Sequence, residues 1–185
     1  MIKIFKPCDF HVHLREGDLA KQVLAENNKH FQKILIMPNL NIPITNSKLL
    51  KKYRNHLLKN NKNLEILFTI YLNQNCSIRE LSEMKKKKLF FSVKLYPQNA
   101  TTNSSSGVSD IKKMTKFFEF LEKNEVPLCI HGEHVQFNDD PFEREKKFLD
   151  IELHWIRKNF PNLKITLEHI TTKDSVDFVK QHNLI

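Results

Sequence analysis

The chain has 185 residues, a formal charge of +9 and a hydrophobic fraction of 40%, which is the size of one domain with enough apolar material for a core. It holds no apolar run of 18 residues, and Met1 to Cys8 lacks a long apolar stretch followed by small residues, so neither a membrane-spanning helix nor a secretory leader is expected. The lysines are spread out without interleaved aromatics, and Cys8, Cys76 and Cys129 are scattered; this argues against a nucleic-acid partner and for reduced thiols in a cytoplasmic protein.

Residues 9–14 read as the first strand, in Asp9-Phe10-His11-Val12-His13-Leu14-Arg15. Side chains two apart on a strand share a face, so His11 and His13 can reach one cation, with Arg15 continuing the row. An isolated His-x-His is more often a pair of packed or surface histidines. A helix over 17–31 leads to a strand over 33–37, followed by Met37-Pro38-Asn39, where Asn39 also fits an ordinary turn. Next come a helix over 47–59, a strand over 65–72 and a helix over 77–87. A strand over 90–96 carries Lys94. Residues 99–107, rich in Thr and Ser, form a polar loop expected to be mobile. A helix over 109–124 precedes a strand over 127–131 that ends on His131. A helix over 141–159 precedes a strand over 164–169 that ends on His169. The last helix covers 173–182. Its start is marked by Thr171-Thr172-Lys173-Asp174, a hydroxyl followed three residues later by an acid. The chain stops directly after it, at Gln181 to Ile185.

Strands alternating with helices imply βαβ units and a parallel sheet. The expected fold is α/β, a (β/α)8 barrel of the TIM type with about six of the eight units present, forming one domain over 1–185. An open doubly wound sheet is the competing architecture. In a barrel, the C-terminal ends of the strands form the rim where active sites are built. His11, His13, Asn39, Lys94, His131 and His169 all fall at such ends. Each of His131 and His169, taken alone, reads more readily as a satisfied core histidine. Lys94 is harder to explain as packing, because a lysine in an apolar strand is rarely buried without a partner. Burial favours its neutral amine, which reacts with carbon dioxide to give a carbamate able to bridge two cations. Glu133 is read as pointing away from His131, and His30, His56, His134, His154 and His182 as surface residues.

These segments resemble the dihydroorotases of the amidohydrolase superfamily, in the short bacterial homodimeric type. The resemblance rests on Asp9 to Asp18, Met37-Pro38-Asn39-Leu40, Lys94-Leu95-Tyr96-Pro97, Asn99 to Ser105, His131-Gly132-Glu133 and Glu168 to Asp174, which occur in the family's order. It implies a metal-dependent hydrolase with two Zn2+ per subunit. His11 and His13 would hold one ion, His131 and His169 the other, and carbamylated Lys94 would bridge them. Arg15 and Asn39 would hold the substrate carboxylate, and Thr101 and Thr102 would sit on a closing loop. The implied reaction is reversible cyclisation of N-carbamoyl-L-aspartate to L-dihydroorotate in pyrimidine biosynthesis. A homodimer is implied for the full-length protein. The family's general-base aspartate is expected beyond Ile185, so no catalytic proton-transfer residue is expected within the chain, which is then poorly active by itself. Hydantoinase-like or allantoinase-like cyclic amidases, or an inactive scaffold subunit, are the alternatives.

Overall fold

Strands β1 (Cys8–Val12), β2 (Lys33–Ile36), β3 (Glu65–Leu72), β4 (Ser92–Leu95), β5 (Leu128–His131) and β6 (Ile165–Glu168) lie side by side in that order, each parallel to the next. The computed structural model describes residues 4–59, 63–136 and 138–182. The first residues, Met1 to Lys3, and the last, Asn183 to Ile185, lie outside the described residues. An unbroken sequential order excludes the doubly wound alternative, in which the order reverses at a switch point. The sheet is the arc of a (β/α)8 barrel, and the helices of successive right-handed crossovers cover its outer face.

The helices are α1 (Gly17–His30), α2 (Ser47–Leu58), α3 (Ile78–Lys86), α4 (Thr115–Lys123), α5 (Arg144–Phe148), α6 (His154–Asn159) and α7 (Lys173–Gln181). The starts of α2, α3 and α7 are capped by side chains. Asn46 accepts from Leu49 N at 3.0 Å, Ser77 from Glu80 N at 3.4 Å and Thr172 from Ser175 N at 3.2 Å. The cap of α7 is thus Thr172, one residue later than the Thr171-to-Asp174 spacing suggests, because Thr171 and Thr172 both hold the Glu145 carboxylate. Two predicted helices are divided. The stretch 109–124 begins with a 3-10 turn at Ile111–Met114, where Asp110 accepts from Lys112 N at 3.0 Å. The stretch 141–159 becomes α5 and α6 joined by a π-helical turn at Leu149–Leu153.

Strand parity divides the side chains in two. Ile34 and Ile36, Phe68 and Ile70, Val93 and Leu95, Leu128 and Ile130, and Ile165 and Leu167 join one large core under the helices. Their neighbours in sequence point to the inner face. There Leu35, Met37 and Cys129 form a small separate cluster with Leu67 against it. The parity also sends Thr69, Tyr71, Ser92, Lys94, Tyr96, His131 and Glu168 inward, and all of these are buried. On β1 the register against β2 slips between Asp9 and Val12. This bulge bends the strand and re-aims its side chains, and the Asp9 carboxylate holds it by accepting from His11 N at 2.9 Å. The strand ends at Val12, so His13 lies just past it and not within it.

Candidate metal centre

Six ionisable side chains meet on the inner face. Two of them, His11 and His13, come from the end of β1, with Nε2 atoms 3.2 Å apart. Opposite them, His131 Nδ1 and His169 Nε2 are 3.0 Å apart. The two pairs adjoin, with the rings of His11 and His169 centred 5.3 Å apart. Lys94, fully buried on β4, donates to Glu168 Oε2. The other oxygen, Glu168 Oε1, accepts from His11 Nδ1 at 2.9 Å. Residues 157 positions apart in sequence are thereby joined across the opening between β1 and β6.

Nitrogens sharing a tetrahedral zinc at about 2.0–2.1 Å stand about 3.3 Å apart, close to both imidazole spacings. Protonation would defeat coordination, and the surroundings oppose it. Burial, reinforced by the Arg15, His11 and Lys94 charges, lowers His13 to about 4 although the Asn39 side chain pulls the other way. Burial, with His169 and Lys94 adding, lowers His131 to about 3. His169 is held down by burial and by Lys94. Burial also draws Lys94 down, while the Glu168 carboxylate draws it back up. Glu168 itself stays below the usual carboxyl range, because its burial is outweighed by His11 and Lys94.

Several buried polar atoms around the site have no hydrogen-bond partner among the described residues: His13 Nδ1, His131 Nε2, Arg15 Nη1, Asn39 Oδ1 and the Tyr96 hydroxyl. Buried polar groups are nearly always paired, so this cluster suits a charged ligand. Two backbone outliers frame it, Arg15 with φ 65° and His169 with φ 41°. Such conformations cost of order 1–3 kcal/mol and gather where function holds them. Tyr53 secures the first by donating to Arg15 O at 2.7 Å.

The donor set has one mismatch. Among the described residues, no group of three or more His, Cys, Asp and Glu side chains is arranged to hold a metal ion. The imidazoles come in two pairs, and buried Lys94 is tied to Glu168. Each imidazole pair lacks a third ligand, a place that a carboxylate formed on Lys94 would fill.

The loop over 99–107 is tied down at several points. Asn39 Nδ2 donates to Thr102 O at 3.0 Å, and Asn103 Nδ2 returns a bond to Asn39 O at 3.1 Å. Gln98 holds Ser105 O and Asn73 holds Ser106 O. The side chains of Thr101 and Thr102 stay exposed. Asn39 is therefore more than a turn residue. Three sequence readings need correction. Glu133 turns towards the site, with Oε1 2.9 Å from His131 Nε2 although not in line for a hydrogen bond. His134 is no surface residue, since its side chain is 16% exposed and its Nδ1 lies 2.7 Å from Glu152 Oε1. Glu168, which carries no expected role in the Glu168-to-Asp174 segment, contacts two of the five expected ligands, His11 and Lys94.

No family model matches the chain. Among curated proteins it is 44% identical, over 99% of its length, to a dihydroorotase of Buchnera aphidicola subsp. Acyrthosiphon pisum. It is 41% identical, over 96% of its length, to one of Agrobacterium fabrum. The chain spans about half the length of these relatives, 53% and 52%. Among solved structures, a dihydroorotase from Campylobacter jejuni superposes with a TM-score of 0.86 at 36% identity, covering 95% of this chain and 51% of that one. The dihydroorotase from Saccharomyces cerevisiae in complex with 5-fluoroorotic acid gives 0.86 at 30%, covering 96% and 51%. An L-hydantoinase from Arthrobacter aurescens, at 0.74 and 12%, shares the fold.

Proposed function

We propose that this chain, a homologue of the dihydroorotases along 99% of its own length, carries the metal-binding and carboxylate-binding parts of a dihydroorotase. The substrate pair is N-carbamoyl-L-aspartate and L-dihydroorotate, interconverted by closing or opening one ring amide. The supporting observation is the meeting of His11, His13, His131, His169 and buried Lys94 on one inner face, beside Arg15 and Asn39 with unpartnered polar atoms. The homodimer, the cytoplasmic setting and the single domain over 1–185 belong to the same proposal; no helix among the described residues is long and apolar enough to cross a membrane.

In this reading His11 and His13 would hold one zinc, His131 and His169 a second, and a carboxylate formed on Lys94 would serve both. When bound, such a pair acidifies water and polarises a carbonyl oxygen. Everything else falls to the chain's own side chains. His13, His131 and His169 stay unprotonated because burial and neighbouring cations keep them so. Arg15 offers its buried Nη1 to the substrate carboxylate, a charge-assisted contact that a neutral ring such as hydantoin cannot return. Asn39 fixes the ring from the side through its side-chain oxygen and holds the 99–107 loop through its Nδ2. Thr101 and Thr102 lie at the mouth, where their hydroxyls can reach a bound acid and the loop excludes water.

Titration of the zinc-loaded chain with L-dihydroorotate and with hydantoin, followed by calorimetry, tests this. Dihydroorotate is expected to bind tighter, and Arg15→Met to weaken it about 10²-fold, the worth of a charge-assisted hydrogen bond. Equal affinity for the two rings, or an Arg15→Met variant with unchanged affinity, contradicts the carboxylate-binding role.

A further inference from the structure

Glu168 closes β6 with its carboxylate almost wholly buried, 5% exposed. A carboxylate so placed is costly unless it is paired. Its two oxygens face two different elements. Oε1 accepts from His11 Nδ1 at 2.9 Å, and Oε2 accepts from Lys94 Nζ. The sheet order places β6 and β1 at opposite edges and β4 between them, so one side chain ties three strands together through the inner face.

The hydrogen bond to His11 has a chemical consequence. An ionised carboxylate only accepts, so Nδ1 of His11 must carry the proton. The lone pair then lies on Nε2, the atom 3.2 Å from His13 Nε2. A carboxylate behind an imidazole in this manner fixes the tautomer and the ring orientation of a metal ligand. The contact with Lys94 is compatible with either state of that residue, because a carbamylated Nζ keeps one N–H to donate.

We infer that Glu168 is a positioning residue, which sets the tautomer of His11 and the direction of Lys94 for the cation site between them. The inference rests on the metal-centre reading given above. It adds a residue that neither binds substrate nor ligates the cation.

Two measurements on the 185-residue chain test it. Zinc affinity, read by competition with a chromophoric chelator, is compared for wild type, Glu168→Gln, Glu168→Asp and His11→Ala. Glu168→Gln is expected to bind zinc about 10- to 100-fold more weakly, the usual loss for a group behind a ligand, with partial recovery in Glu168→Asp. His11→Ala is expected to lose more. The second measurement needs no metal. Long-range proton–nitrogen spectra of the metal-free chain should show His11 as the Nδ1–H tautomer in wild type and as a mixture in Glu168→Gln. Circular dichroism confirms that each variant is folded before it is scored. If His11→Ala loses zinc while Glu168→Gln retains full affinity, the inference falls and the metal reading stands. If wild type and His11→Ala bind zinc alike, the metal reading falls and the inference with it. A His11 in the Nε2–H tautomer in the wild-type chain overturns the inference whatever the affinities show.

Discussion

The two faces of the sheet are built from alternating residues of the same strands, yet they obey opposite rules. On the outer face Ile34, Ile70, Val93, Leu95, Leu128 and Ile130 are fully buried and wholly apolar. Each such side chain contributes about 1.5–3 kcal/mol relative to exposure. On the inner face Lys94, His131 and Glu168 are buried to nearly the same degree, and burial there works against their charge. The outer face holds the fold together. The inner face spends stability to hold imidazoles unprotonated and polar atoms without partners, which is the signature of a site and not of a core.

Exchanging side chains between these rules gives the largest effects. Ile130→Ala on the outer face is expected to cost about 2–5 kcal/mol, read from the urea midpoint, with no change in zinc bound per folded molecule. The double change Lys94→Met with Glu168→Leu on the inner face is expected to leave the midpoint no lower than wild type, because replacing a buried ion pair by apolar groups is often neutral or stabilising. That variant should lose its zinc. A drop of more than about 2 kcal/mol would show that the pair holds the fold, and the contrast between the faces would collapse.

Acid should separate the faces more gently. His131 sits at about 3 and His13 at about 4, both below the ordinary value of 6.5. The unfolded chain therefore takes up protons below about 6.5 that the folded chain refuses. Their contribution is fully present above that pH and is lost as pH falls towards 4 and then 3. Each histidine contributes a slope of up to about 1.4 kcal/mol per pH unit in its window. Unfolding of the metal-free chain from pH 7 to pH 4 measures it, and His131→Asn should flatten the profile. An identical profile in that variant would show that His131 titrates normally.

Much of this division was readable in the chain. The Lys-Ile-Leu-Ile run of β2 and the long apolar run of β3 mark buried strands, and parity alone sends Lys94 away from Val93 and Leu95. The same parity sends Glu168, the acid that ends the apolar strand Ile165–Glu168, away from Ile165 and Leu167, but nothing local in the sequence names His11 and Lys94 as its partners. Other features left no local trace. The bulge in β1 depends on how that strand meets β2, and the π-helical turn at Leu149–Leu153 has no period of its own in the sequence. Ties on the 99–107 loop come from Asn39, which fits an ordinary turn in the sequence, and from Asn73, which carries no signal there until the fold brings it near. The inward turn of Glu133 and the pairing of His134 with Glu152 likewise arise from packing of the segment after β5 against α5 and the turn that follows it.

Zinc-edge anomalous diffraction from crystals of the zinc-loaded chain tests the central claim most directly. Two peaks are predicted, one beside His11 and His13 and one beside His131 and His169, with Lys94 between them. Zinc found only elsewhere, for instance at His134 and Glu152, or no zinc on the inner face at all, would contradict the account.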